Sequence, residues 1–246
     1  TSCVYFNPTD RCNLNCQYCY IPEEMRKDGE HMSTEKLVEA LGTLKTYFDG
    51  FMPDDRKPSI IFHGAEPLTN KDAVFEGIRQ FKDHFRFGVQ TNGTLLDDEW
   101  AAFYKEHNFL IGISIDGPRY LHDAHRVDKG GAPTFDRVIR GLRLLQKHNV
   151  EYNILVTVNR LTADHPKEVY RFLRDEAKTE WIQFIPVIER MNPDGINLVQ
   201  EGEQVSHRSV RPEQFGRFLI QVFDEWVRHD VGKIFVQTFE AALRNW

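Results

Sequence analysis

Cys3-Val4-Tyr5-Phe6-Asn7, followed at once by Thr9-Asp10-Arg11-Cys12-Asn13-Leu14-Asn15-Cys16-Gln17-Tyr18-Cys19-Tyr20, opens the chain, and these two stretches decide how the rest is read. The first is short and nearly continuous in apolar residues, the pattern of a buried parallel strand. The second places three cysteines on the loop leaving that strand. In a barrel of parallel strands this is the C-terminal mouth, where active sites gather.

Working outward, five further strand candidates follow, at 59–63, 87–91, 110–116, 152–158 and 181–187. Helical stripes lie between them. Leu37, Leu41, Leu44 and Phe48 form one behind the cap candidate Ser33, and Val74, Ile78, Phe81 and Phe85 form another. Phe135, Val138, Leu142 and Leu145 follow Thr134 as a cap candidate, Val169, Phe172 and Leu173 follow Pro166, and a last helix after Pro212 buries Phe215, Leu219, Val222 and Trp226. Strand and helix alternate six times, which predicts an α/β fold, a partial (β/α)6 TIM-like barrel open on one side. A closed eight-unit barrel needs about 250 residues, so six units fit a chain of 246 as one domain over 1–246. Segment 189–209 lacks periodicity and carries Pro193, Asp194 and Gly195, predicting a long loop or insertion.

Composition narrows the class. With 41% hydrophobic residues and 18 phenylalanines, the chain can bury a large core. A net charge of −6 and a pI near 5.9 provide no electrostatic footprint for nucleic acid. The longest apolar runs, such as 109–115, fall far short of the roughly 20 residues of a membrane span, so no membrane partner and a cytoplasmic location are expected. Three of the four cysteines are packed into eight residues, too close to pair easily as disulfides, so metal or redox chemistry in a reducing compartment fits better.

Thiolates select zinc or iron-sulfur clusters. A structural zinc site is normally closed by four protein ligands, whereas here three cysteines cluster and Cys3 sits back on the strand as a small core residue. Three cysteines on a cubane leave one iron open for a ligand. The competing reading is one face of a helix, because the spacing is i, i+4, i+7; Asp10, Asn13 and Asn15, which favour caps and loops, argue against it.

Further motifs sit where strands end. His63-Gly64-Ala65-Glu66-Pro67 closes the second candidate, with a carboxylate able to accept charge-assisted hydrogen bonds from an ammonium group. Gln90-Thr91-Asn92-Gly93 closes the third and Ser114-Ile115-Asp116-Gly117-Pro118 the fourth. Each is also a serviceable turn. His125-Arg126-Val127-Asp128-Lys129-Gly130-Gly131 follows, offering a guanidinium suited to bidentate carboxylate binding.

The pattern C-x-x-x-C-x-x-C with an aromatic before its last cysteine, present as Cys12, Cys16, Tyr18 and Cys19, resembles the signature of the radical S-adenosylmethionine superfamily. The resemblance implies a 4Fe-4S cluster on Cys12, Cys16 and Cys19. It implies S-adenosylmethionine on the open iron, cleaved reductively to a 5'-deoxyadenosyl radical, with a reducing electron donor as partner. Gly64-Ala65-Glu66-Pro67 resembles that family's Gly-Gly-Glu-Pro motif, which grips the methionine amino group, although Ala65 replaces a glycine. By the same resemblance Tyr18, Gln90 and Asn92 count as cofactor-binding residues, Ser114 reaches the ribose or methionine end with Asp116 as a second candidate, Arg126 contacts the cofactor carboxylate, and Ile188 lies beside the adenine or in the core.

Stretches 183–190 and 223–227 look like the anaerobic sulfatase-maturating group, which modifies peptides. A peptide or protein substrate follows from this, a sulfatase first among them, with a cysteine or serine oxidised to formylglycine. A maturase that forms thioether or carbon-carbon crosslinks in another ribosomal peptide is the enzymatic alternative, and a non-catalytic zinc-binding scaffold is the alternative of another class. The family's cysteine-rich C-terminal extension, with its auxiliary clusters and proposed catalytic aspartate, is expected beyond Trp246. No residue of this chain is therefore assigned as the catalytic base.

Overall fold

A computed structural model describes residues 2–53, 55–191 and 204–245. Its strands are β1 (Cys3–Phe6), β2 (Ser59–Phe62), β3 (Arg86–Thr91), β4 (Leu110–Ser114), β5 (Glu151–Val158), β6 (Trp181–Pro186) and β7 (Phe235–Val236). The first six match the expected runs to within about two residues at each end. β7 is a two-residue strand that periodicity could not show. Strand order in the sheet follows chain order from β1 to β7, as a partial (β/α) barrel requires, and the fold class is α/β as expected. β1 with β2, β2 with β3, β5 with β6 and β6 with β7 all pair in parallel.

The helices are α1 (Glu23–Asp28), α2 (Thr34–Asp49), α3 (Lys71–Phe81), α4 (Asp98–Glu106), α5 (Arg119–Asp123), α6 (Phe135–Lys147), α7 (Pro166–Arg171), α8 (Pro212–His229) and α9 (Gln237–Arg244). The helix after Pro212 is thus not the last. α2 starts where Ser33 accepts from Lys36 N–H at 3.3 Å, as predicted, and α7 starts at Pro166, whose missing N–H costs nothing there. α6 is capped differently from the expectation. Asp123 Oδ1 accepts the N–H groups of Thr134 and Phe135 at 3.0 and 2.9 Å, which leaves the Thr134 hydroxyl free for another task.

The chain forms two compact units. The first comprises Thr1–Asn13, Glu23–Gly112 and Arg140–Glu151. Its core stacks Phe62 on Phe87 and Phe87 on Phe109, with centroids 5.8 and 5.9 Å apart, while Leu37 and Leu41 of α2 are fully enclosed. Truncating either leucine to alanine would cost about 2–5 kcal/mol. Cys3, expected in a core, is only half-buried.

The second unit comprises Leu14–Pro22, Ile113–Ile139 and Tyr152–Trp246. Here α8 buries Phe218, Val222 and Trp226, whereas Phe215 and Leu219 of the predicted stripe are half-buried. Phe184 of β6 meets Phe218 edge-on at 5.1 Å, and the Trp226 indole donates to Ile234 C=O at 2.6 Å. The expected loop after β6 begins and ends as an antiparallel pair, with Arg190 opposite Val205; Pro193, Asp194 and Gly195 lie outside the described residues.

Candidate functional site

In the first unit, the leading half of the cysteine loop is anchored from behind. Thr9 Oγ1 lies 2.8 Å from His31 Nδ1 and also accepts Arg11 N–H at 3.0 Å, which turns the chain toward Cys12. Cys12 N–H donates to Arg26 C=O at 3.0 Å, and Glu66 N–H donates to Arg11 C=O at 3.0 Å. The loop is thus held by backbone groups and does not continue as a helix, so the helical reading of the cysteines is set aside. His31 was not singled out by sequence, because a lone histidine after a short helix carries no pattern.

Glu66, at 0% exposure, accepts from Thr91 Oγ1 at 2.7 Å, Leu68 N–H at 3.2 Å and Asn92 N–H at 2.8 Å. It therefore caps its own turn and ties the end of β2 to the end of β3. Burial raises its pKa to about 7, against the lowering effect of those three donors. Asn92 in turn points its amide at Asn13 Oδ1 (2.9 Å) and Cys12 Sγ (3.8 Å). Gly64 is at φ +119°, where a Cβ would fall 2.0 Å from Asn7 Oδ1, so only glycine fits. Ala65 is not among the described residues with positive φ, so the alanine sits there without backbone strain. Gln90 is half-buried beside this group on β3.

In the second unit, the trailing half of the loop runs alongside 125–128. Asn15 N–H donates to Val127 C=O at 2.8 Å and Gln17 N–H to His125 C=O at 3.0 Å. Tyr18 hydroxyl donates to Asp116 Oδ2. Arg126, 7% exposed, donates from Nε and Nη2 to the two oxygens of Asp116 at 3.0 and 3.2 Å, and from Nη2 to Thr157 Oγ1 at 3.1 Å. Thr157 N–H also donates to Asp116 at 2.9 Å. Burial alone would lower the guanidinium's pKa, but the adjacent Asp116 more than offsets this and holds it above its ordinary value. Nη1 donates to no acceptor among the described residues, so one edge of the guanidinium is left for a ligand. Ser114 is half-buried at the end of β4. Ile188, 58% exposed, is surface and not core. Thr157 had no sequence signal beyond its place on a strand.

All four cysteines are half-buried, and Cys16 and Cys19 share a turn in which Cys19 N–H donates to Cys16 C=O at 3.2 Å. Among the described residues no three His, Cys, Asp or Glu side chains converge as metal ligands would. By residue type and sequence spacing, three soft thiols within eight residues suit a cubane cluster with one iron open better than a closed tetrahedral zinc site. The described residues contain no helix long and apolar enough to cross a membrane.

Residues 6–173 match the radical SAM superfamily. A serine-type anaerobic sulfatase-maturating enzyme of Bacteroides thetaiotaomicron is 38% identical over 252 residues, covering 96% of this chain and 59% of that protein. A cysteine-type anaerobic sulfatase-maturating enzyme of Clostridium novyi is 30% identical, covering 89% of this chain and 58% of its own. The chain thus spans somewhat more than half the length of these relatives. Among solved structures, native anSMEcpe with bound AdoMet superposes with a TM-score of 0.82 at 27% identity, over 97% of this chain and 65% of that one. A second anSMEcpe structure, holding AdoMet and the Cp18Cys peptide, gives 0.81 at 28% identity, over 97% and 63%.

Proposed function

The chain belongs to the radical SAM superfamily and is related to its anaerobic sulfatase-maturating enzymes, and from that premise we propose that it oxidises a cysteine or serine of a peptide or protein substrate to formylglycine. A 4Fe-4S cluster and S-adenosylmethionine, when bound, supply the 5'-deoxyadenosyl radical that removes a hydrogen atom from the substrate. The chain's own residues hold and orient those groups. Cys12, Cys16 and Cys19 are the cluster ligands in this reading. Asn92 directs its amide at the first of them, and Glu66 fixes Asn92 from behind. Arg126 is aimed by Asp116 and Thr157, with Nη1 available to the cofactor carboxylate; Tyr18, Gly64, Ala65, Gln90, Ser114 and Ile188 complete the cofactor's surroundings.

The observation that carries the reading is the three-thiol loop at the exit of β1, in a chain 38% identical to a serine-type maturating enzyme. The substrate assignment draws on those relatives, and on a neighbour of similar fold whose structure includes a peptide.

The experiment is anaerobic purification, cluster reconstitution and reduction with dithionite in the presence of S-adenosylmethionine. Formation of 5'-deoxyadenosine, and loss of two hydrogen atoms from a serine peptide by mass spectrometry, are expected. Zinc bound without iron would sink the reading.

A further inference from the structure

His122 was singled out by no motif, yet it is 1% exposed and touches both halves of the Asp116–Arg126 pair. Asp116 N–H donates to its Nδ1 at 3.4 Å. On the other side of the ring, Nε2 lies 3.1 Å from Thr134 Oγ1, and that hydroxyl donates to Arg126 C=O at 2.7 Å. The direction of every bond follows. Nδ1 receives a proton from a backbone amide, so it carries none of its own. Thr134 has given its only proton to Arg126 C=O, so it must accept from Nε2. The histidine is therefore the Nε2–H tautomer, and the chain reads Asp116 N–H to His122, His122 to Thr134, Thr134 to Arg126 C=O. Arg126 N–H closes the circuit by donating to His122 C=O at 2.9 Å.

We infer that His122, carrying its proton on Nε2, is the positioning residue that locks the backbones of Asp116 and Arg126 in register, so that the guanidinium presents Nη1 to an anionic group. The arrangement explains why Thr134 does not cap α6 with its side chain, Asp123 having taken over that role. Each member is buried, with Asp116 and Thr134 at 0% exposure, so removing any one strands a partner that water cannot reach. Burial also pushes the histidine down to about 3, against a raising effect from Asp116, which keeps the ring neutral across the working range. The link to S-adenosylmethionine rests on the functional reading above; the tautomer does not.

Two measurements test this. In the intact protein with nitrogen-labelled histidine, NMR should show one of the ten histidines fixed as the Nε2–H tautomer and unchanged between pH 5 and 8, and that signal should vanish in His122→Phe. A signal with the proton on Nδ1, or one that titrates in that range, overturns the inference. Equilibrium binding of S-adenosylmethionine, without turnover, supplies the second readout. His122→Phe and Thr134→Val should each weaken binding about tenfold at unchanged iron content, and the double variant should lose no more than either alone. Losses that multiply in the double variant, or unchanged affinity, overturn the positioning role. A wild-type protein that binds no S-adenosylmethionine overturns the functional reading, and the tautomer is still decided by the spectrum.

Discussion

Arg126 meets Asp116 through two parallel bonds, Nε to Oδ2 at 3.0 Å and Nη2 to Oδ1 at 3.2 Å, with Asp116 fully buried and Arg126 nearly so. Such pairs are costly to break from one side, because the remaining charge stays buried. Asp116→Ala and Arg126→Ala should each lower stability by about 3–5 kcal/mol, measured as the urea midpoint at constant slope. The double variant should lose clearly less than the sum of the two. Arg126→Lys keeps the charge but cannot span both carboxylate oxygens, so it should weaken S-adenosylmethionine binding at near-normal iron content.

Glu66 makes stability depend on pH in a definite direction. In the unfolded chain it loses its proton near its ordinary value of 4.5, whereas the fold retains the proton up to about pH 7. Between those values the folded state binds the extra proton, so this contribution is whole below 4.5, falls as pH rises and levels off above 7. The drop amounts to about 3 kcal/mol. Glu66→Gln, with nothing to titrate, should lack that slope, and the gap between the two stability curves over this window is the measurement. The same variant loses an acceptor for Asn92 N–H and should bind S-adenosylmethionine more weakly.

Gly64 has no room for a methyl group and occupies a left-handed backbone region. Gly64→Ala should destabilise by roughly 2 kcal/mol or more, read as a fall in melting temperature. Adding Asn7→Gly removes the atom in the way, so the double variant should melt above Gly64→Ala alone. A double variant that melts lower would rule out the clash with Asn7 as the cause.

Beyond β6, Glu189 accepts from Arg208 Nε and Nη2 at 2.9 and 3.2 Å and from Ser206 Oγ at 2.5 Å, at 3% exposure. The pair fastens the two ends of the segment that sequence could describe only as aperiodic. Arg208→Ala should speed hydrogen exchange at Ser206 and Val210, whose amides donate to Glu189 and Val187 carbonyls, by an opening free energy reduced by about 3 kcal/mol. Exchange in β1 to β3 should not change.

The first six strands were legible because buried parallel strands are short unbroken apolar runs, and α2, α3, α6, α7 and α8 because their stripes repeat every three to four residues, whereas α1, α4, α5 and α9 were not singled out. β7 was not, since two residues make no pattern. The cysteine loop was legible from spacing and from the loop-forming asparagines between the thiols. What could not be read was which polar residues serve one another. Thr134 has the composition of a cap and spends its hydroxyl on Arg126 C=O instead, and His122 and His31 stand in no motif at all. A hydrogen bond between residues far apart in sequence leaves no periodicity, so tertiary structure alone discloses it.

The amide of Asn92, lying 3.8 Å from Cys12 Sγ, would have an electronic consequence with the proposed cluster bound. A donor directed at a thiolate withdraws charge from the sulfur, and charge withdrawn from a ligand makes the metal behind it easier to reduce. With Cys12 holding the proposed cluster, position 92 would be a tuning point for electron acceptance outside the ligand set. In that reading, a change to aspartate or leucine would shift the voltage at which the proposed centre takes its electron, the three cysteines being unchanged.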